Sequence, residues 1–181
     1  MINNVMSVIA DKLNENLNNR FSQSSDLVVL SSLNNLEDEN NTEMQNKLIL
    51  TITNIEQERL SRVSPSRSSQ KPINVYLYLL LSSNFQHSNY EEGLKLLSSA
   101  ISFFQYSSVM NHSNTPDLDN NVEKLVFEMI NLNIQELSQL WGVHGGRYLP
   151  SVLYKTRMVT ISEDLVEQSF NIAGFGSDVS I

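Results

Sequence analysis

Apolar positions in this chain alternate between blocks of helical and strand period, separated by polar stretches rich in Asn and Ser. Ile2, Val5, Met6, Ile9, Leu13 and Leu17 recur every three or four residues, with Asp11, Lys12 and Glu15 on other faces. That spacing predicts an amphipathic helix over 2–19, packed on its own sheet. Residues 20–46 are polar apart from Leu27 to Leu30, which reads as a short strand between loops. In 47–57 (KLILTITNIEQ), Leu48, Leu50 and Ile52 alternate with Ile49, Thr51 and Thr53, the period of a strand. Ile73 to Leu81 predicts a third strand, apolar on one face and bearing Tyr76 and Tyr78 on the other. Leu94, Leu97, Ile101 and Phe104, widened by Leu96, Ala100 and Phe103, trace a well-buried helix over 88–107. Ser88 and Glu91 stand at capping-box spacing at its start. A loop over 108–122 turns at Thr115-Pro116-Asp117. Glu123 to Leu132 alternates as a strand, with Leu125, Phe127 and Met129 inward and Lys124 and Glu128 outward.

Residues 134–161 organise the rest. Ile134, Leu137, Leu140 and Trp141 form one apolar helical stripe, and Asn133 can cap it with Glu136 at the matching third position. Gly142 is expected to stop this helix in a left-handed conformation, and Gly145 and Gly146 supply two more flexible positions. Pro150 prevents the helix from resuming, and Ser151 to Ile161 reads as a long strand. Trp141, the only tryptophan, is expected to be a core plug that touches no ligand. The element order is therefore α-β-β-β-α-β-α-β. It describes an α+β domain over 1–162, a mainly antiparallel sheet covered by helices, and then a flexible Gly- and Ser-rich tail over 163–181. No internal repeat appears at solenoid periods.

Composition removes several function classes. A length of 181 residues fits one domain. Twelve basic and 20 acidic residues give a net charge of −8, which provides no general attraction to nucleic acid or anionic lipid. Zero cysteines remove disulfides, thiolate catalysis and zinc-cysteine sites. No apolar run reaches membrane-span length, and the N-terminus lacks a basic-then-apolar signal pattern. Synthesis and assembly in the cytoplasm are expected, with any export as part of a particle or by lysis. The acidic run Glu37, Asp38, Glu39 lacks the alternate spacing of a calcium loop. His87, His112 and His144 lie far apart with no metal-ligand spacing. The glycine pair follows a helix, whereas phosphate loops place glycines before one. No nucleophile, base and orienter can be named together, so no enzyme, cofactor or metal is expected.

The run LWGVHGGRYLPSVLYKTRM resembles the signature segment of a family of contractile-injection-system proteins, the cap or tail-terminator proteins of extracellular, antifeeding-prophage-like particles. The similarity is to their N-terminal domain. It extends to LILTITNIEQER, to NVYLYLLLSSNFQHSNYEEGLKLLSSAISFFQ and to KLVFEMINLNIQELSQLW, and so covers residues 1–162. The resemblance implies a tail-terminator-like fold and a structural subunit of a homohexameric ring that closes the end of the inner tube and outer sheath. Its partners would be itself and the sheath and inner-tube proteins, in a particle that is released extracellularly. Some members continue into a further C-terminal domain. This chain stops about twenty residues past the signature strand, so closing the central hole is not carried over. Two other readings stand beside the cap: a tube or baseplate adaptor of the same machine, and a small enzyme or ligand-binding domain.

Assembly contacts are expected in two places. The first is a basic loop, Glu58 to Pro72, which carries Arg59, Arg62, Arg67 and Lys71, four of the 12 basic residues. The second is the signature segment, with Arg147, Tyr148, Tyr154, Lys155 and Arg157. Strand 151–161 is the leading candidate for an outer strand that pairs with a segment of another chain.

Overall fold

The computed structural model describes residues 1–33, 44–58 and 74–160. The order is α1 (Ile2–Phe21), β1 (Val28–Leu30), β2 (Lys47–Gln57), β3 (Val75–Asn84), α2 (Tyr90–Tyr106), β4 (Val109–Asn111), β5 (Val122–Ile130), α3 (Ile134–Val143) and β6 (Ser151–Thr160). Every element read from the pattern is present. The addition is β4, three residues inside the expected 108–122 loop, too short to show a period of its own. The six strands form one sheet in the order β1-β2-β3-β6-β5-β4. Only β1 pairs in parallel, with β2; all other neighbours are antiparallel.

The two faces of the sheet differ. On the first, α1 and α2 bury Val5, Ile9, Leu13, Leu96, Ala100 and Phe104 against Leu48, Leu50, Leu77, Leu79 and Leu81, joined by Leu125, Phe127, Val152, Tyr154 and Met158. Fully burying each such side chain contributes roughly 1.5–3 kcal/mol. Asn14 fastens α1 to the edge of the sheet. Its side-chain oxygen accepts from the backbone N–H of Leu27 and of Val28, both at 2.8 Å, and its amide donates to the Val28 carbonyl at 2.9 Å. A buried amide with these bonds made costs little, and it fixes where β1 lies. On the second face, Trp141 of α3 packs in a smaller cluster with Leu33, Met44, Ile49, Leu80, Leu149 and Leu153.

Three local expectations are corrected. The N-cap of α2 is Asn89, without a side-chain cap bond, because a 3₁₀ turn over His87–Asn89 takes up Ser88. Met129 is 44% exposed rather than inward, since it lies beyond the reach of the helices that cover Leu125 and Phe127. The largest correction concerns β6. It pairs with β3 from Ser151 to Met158 and with β5 from Leu153 to Thr160, so it is a central strand and both its edges are filled. Another chain cannot add to it. The outermost strands are β1 and β4, of three residues each, a length that limits edge-to-edge aggregation.

Candidate functional site

Beyond the Trp141 cluster, the second face of the sheet carries a ladder of charged and tyrosyl side chains. Its basis is the period of two along each strand, which places Tyr76 and Tyr78 of β3 beside Arg157 and Lys155 of β6. On β2, one extra residue lies between Ile52 and Asn54 relative to β3. This bulge reverses which side chains face out, so Asn54 and Glu56 register with Tyr78 and Tyr76. Tyr78 donates its hydroxyl to Glu56 at 2.7 Å. The Lys155 ammonium stands 4.0 Å from the Tyr76 ring centroid, a cation–π contact, and Lys155 registers with Glu128 of β5. The cations of β6 are therefore flanked by the β3 tyrosines and Glu56 of β2 on one side and by Glu128 of β5 on the other.

Glu58, just past the end of β2, is the hub of this ladder. Its carboxylate accepts a two-pronged bond from Arg157, Nε to Oε1 at 2.8 Å and an Nη to Oε2 at 2.9 Å. The Tyr76 hydroxyl and the Asn74 amide each donate to it at 2.9 Å. The Glu58 backbone N–H bonds to the Asn74 carbonyl at 2.9 Å, and the Thr160 N–H bonds to the Asn74 side-chain oxygen at 3.1 Å. One side-chain cluster thus ties together the end of β2, the start of β3 and the end of β6. Fork-shaped Arg–carboxylate pairs are among the stronger polar contacts.

Arg157 above all, then Tyr76 and Asn74, hold the Glu58 carboxyl down at about 2 against the opposing effect of burial. A carboxylate whose folded pKa is depressed contributes stability that is fully present above its unfolded value, near 4.5 here. That contribution is lost as pH falls from that value toward about 2. Glu58→Gln is therefore expected to unfold at lower denaturant than the wild type at pH 7. The gap should close between pH 4.5 and 2, as followed by denaturant midpoints; a gap independent of pH would contradict the assignment.

The α3 unit is built from its two ends inward. Asn133 caps it with Glu136 in a reciprocal box, both bonds at 2.9 Å. At the other end the cap is not Gly142. The helix runs through Val143, and the positive φ values belong to Gly145 (88°) and Gly146 (77°). Gly146 N–H bonds back to the Trp141 carbonyl at 2.8 Å, spanning the left-handed Gly145 in the Schellman manner. Gly142 was a plausible stop only because it follows the apolar stripe directly; a Cβ there meets nothing within 4 Å. Trp141 is the one buried side chain of α3, and Tyr148 meets its ring edge-on at 5.8 Å between centroids. The Pro150 carbonyl accepts from Ser83 N–H at 2.9 Å, which starts β6 beside β3.

The expected contact residues thus separate. Lys155 and Arg157 share the ladder and are engaged within the subunit. Tyr154 points to the opposite face and is buried against Phe104, 4.6 Å between centroids, so it is no contact residue; burial pushes its hydroxyl up to about 12. Arg147 and Tyr148 are exposed beside the start of β6. Arg59, Arg62, Arg67 and Lys71 lie outside the described residues, as do the acidic run at 37–39 and the tail from 161. His112 bonds to the Val122 carbonyl at 2.9 Å, and His144 forms the C-cap of α3. Among the described residues no cluster of three His, Cys, Asp or Glu could hold a metal, and no helix is long and apolar enough to cross a membrane. The Glu58 hub was not anticipated. Part of its signal was available as pairs at i and i+2: Tyr76/Tyr78 and Lys155/Arg157 on two predicted strands, and Glu56/Glu58 running from a third into the loop that follows it.

Comparison with known proteins follows the same lines. The fold is similar to the sheath/tube terminator of an extracellular contractile injection system, PVC, in its extended state, with a TM-score of 0.57 and 12% identity over 100% of this chain. It is also similar to the tube terminating cap of the anti-feeding prophage, with a TM-score of 0.52 and 14% identity over 92% of this chain. The chain spans 64% and 60% of the lengths of those two chains. No curated protein matches it in sequence. The family model for the Pvc16 N-terminal domain matches residues 4–171, nearly the whole chain, and the protein belongs to that family.

Proposed function

We propose that this chain is a structural cap subunit that terminates the tube and sheath of a phage-tail-like contractile injection particle. The observation that carries this reading is the family match over residues 4–171, supported by a fold shared with two terminators. The partners are further copies of itself and the sheath and inner-tube proteins, and the particle is one released from the cell. Identical copies meeting head to tail close into a ring when the rotation per subunit closes, and a count of six follows from a sixfold particle. A tube or baseplate adaptor would use similar chemistry, but the two similar structures described above are terminators, which favours the cap. The charged groups of the Glu58 ladder bond to one another rather than converge on a reacting atom, which favours a structural role over catalysis.

In this reading the segment with Arg59, Arg62, Arg67 and Lys71 meets an acidic surface on the adjoining ring. Exposed ion pairs contribute only about 0–1 kcal/mol each, but repetition around a ring multiplies a small gain per subunit. The experiment compares particles assembled without the chain, with the wild type, and with all four cations replaced by serine. Ends should be uncapped without the chain and capped with the wild type. The quadruple variant should keep the wild-type melting temperature yet cap fewer ends, with a deficit that shrinks as salt is raised, since salt screens the contacts only the wild type makes. Capped ends in the particles lacking the chain would overturn the function. Normal capping by the quadruple variant would overturn the role of the segment.

A further inference from the structure

The sheet has two outer edges, and each is met by an asparagine side chain. At β4, the Ser108 carbonyl accepts from Phe127 N–H at 2.9 Å and Met110 registers with Leu125. The backbone groups of Val109 and Asn111 therefore point away from β5. The Asn114 side chain lies along them as a strand would. Its amide donates to the Val109 carbonyl and its oxygen accepts from Asn111 N–H, both at 2.9 Å. The Asn111 carbonyl takes the N–H groups of Thr115 at 2.7 Å and of Asn114 at 3.1 Å. At β1, the Leu27 carbonyl and the Ser31 N–H bond to β2, so Val28 points outward, and Asn14 occupies both its N–H and its carbonyl. Asn14 and Asn114 come from separate elements at opposite ends of the strand order. Each nevertheless satisfies a donor and an acceptor on outward-facing backbone.

We propose that these two asparagines close the sheet to other chains, and that Asn114 in particular keeps β4 from pairing with the β4 of a second copy. The β4 edge needs such a lock. Val109–Asn111 holds no charged residue or proline, the usual means of blunting an edge. Tyr106 and Val109 beside it are 94% and 37% exposed, so an open edge would offer backbone bonds next to apolar surface. A second copy is the partner that fits, because two antiparallel β4 strands meet about a two-fold axis and present the same groups to each other. The pairing would end there. Asn14 still covers β1, so subunits joined through β4 form pairs and not fibres. With both edges locked, neighbouring subunits touch through side chains rather than by merging their sheets.

Sedimentation velocity of the free full-length protein over a concentration series tests the lock. Asn114 is exposed, so Asn114→Ala should fold. Its average mass should rise with concentration to about twice that of the wild type, as a two-fold pairing requires. Adding Asn111→Pro removes an outward N–H from an edge strand, where proline is tolerated, and should return the mass to the wild-type value. That reversal separates edge pairing from aggregation by partial unfolding, which a second disruptive substitution makes worse. Asn114→Ala at the wild-type mass throughout the series, or a double variant as heavy as the single one, would overturn the lock. Growth beyond pairs would show that Asn14 does not close β1. None of these results bears on the cap reading, since no particle is present.

Discussion

Trp141→Ala is expected to be the most damaging single substitution, costing about 3–5 kcal/mol, the range for truncating a buried large aromatic. For a domain of this size that corresponds to a fall in melting temperature of about 6–20 °C. The reason is local. Trp141 is 3% exposed and is the only buried residue of α3, so nothing else on that helix holds it deeply to the sheet. Removing the indole leaves Leu33, Met44, Ile49, Leu80, Leu149 and Leu153 around a void and frees α3 and the Gly145–Gly146 turn from the second face. Thermal melts of the two proteins check it; a shift under about 1 °C would mean that α3 is anchored some other way.

The second large effect is a contrast in sign between two glycines. By helix propensity alone, Gly→Ala inside a helix stabilises by up to about 1 kcal/mol. At Gly142 of α3 a Cβ meets nothing within 4 Å, so Gly142→Ala should raise stability toward that amount. At Gly93 of α2 the Cβ would lie 2.5 Å from Ser83 Oγ and 2.7 Å from the Phe85 ring. The Ser83 hydroxyl can rotate away, but the ring and the strand end beneath it must move, so Gly93→Ala should destabilise by roughly 1–3 kcal/mol. Denaturant midpoints of the two variants should therefore move in opposite directions. Equal, small stabilisation of both would show that α2 does not press on β3 at this point.

Much of this fold was legible in the sequence because its signals are local. The capping box of Asn133 and Glu136, the helical stripe of α1 and the bounds of β2 depend on neighbours a few residues away. The misreadings share a different cause. Whether β6 lies at an edge or in the centre is set by strand order, which periodicity does not encode, and its cations Lys155 and Arg157 imitate an edge. Those cations are instead absorbed by Glu58, Tyr76 and Tyr78 from strands distant in sequence. The β2 bulge was invisible because Thr53 fits the strand pattern whether or not it is the extra residue. Gly142 misled because three glycines follow one apolar stripe, and only backbone geometry separates Gly145, which bears the left-handed turn, from Gly142, which continues the helix. Tyr154 illustrates parity: it adjoins Lys155 in sequence but faces the opposite side of the sheet.

The measurement that bears most directly on the cap reading is cryo-electron microscopy of intact particles made with the wild-type chain. The account predicts a closed ring of six copies at one end of the tube and sheath, with the α1/α2-covered sheet fitting each unit of density. A particle whose terminus contains no density for this chain, or holds it only along the tube or at the baseplate, would contradict it.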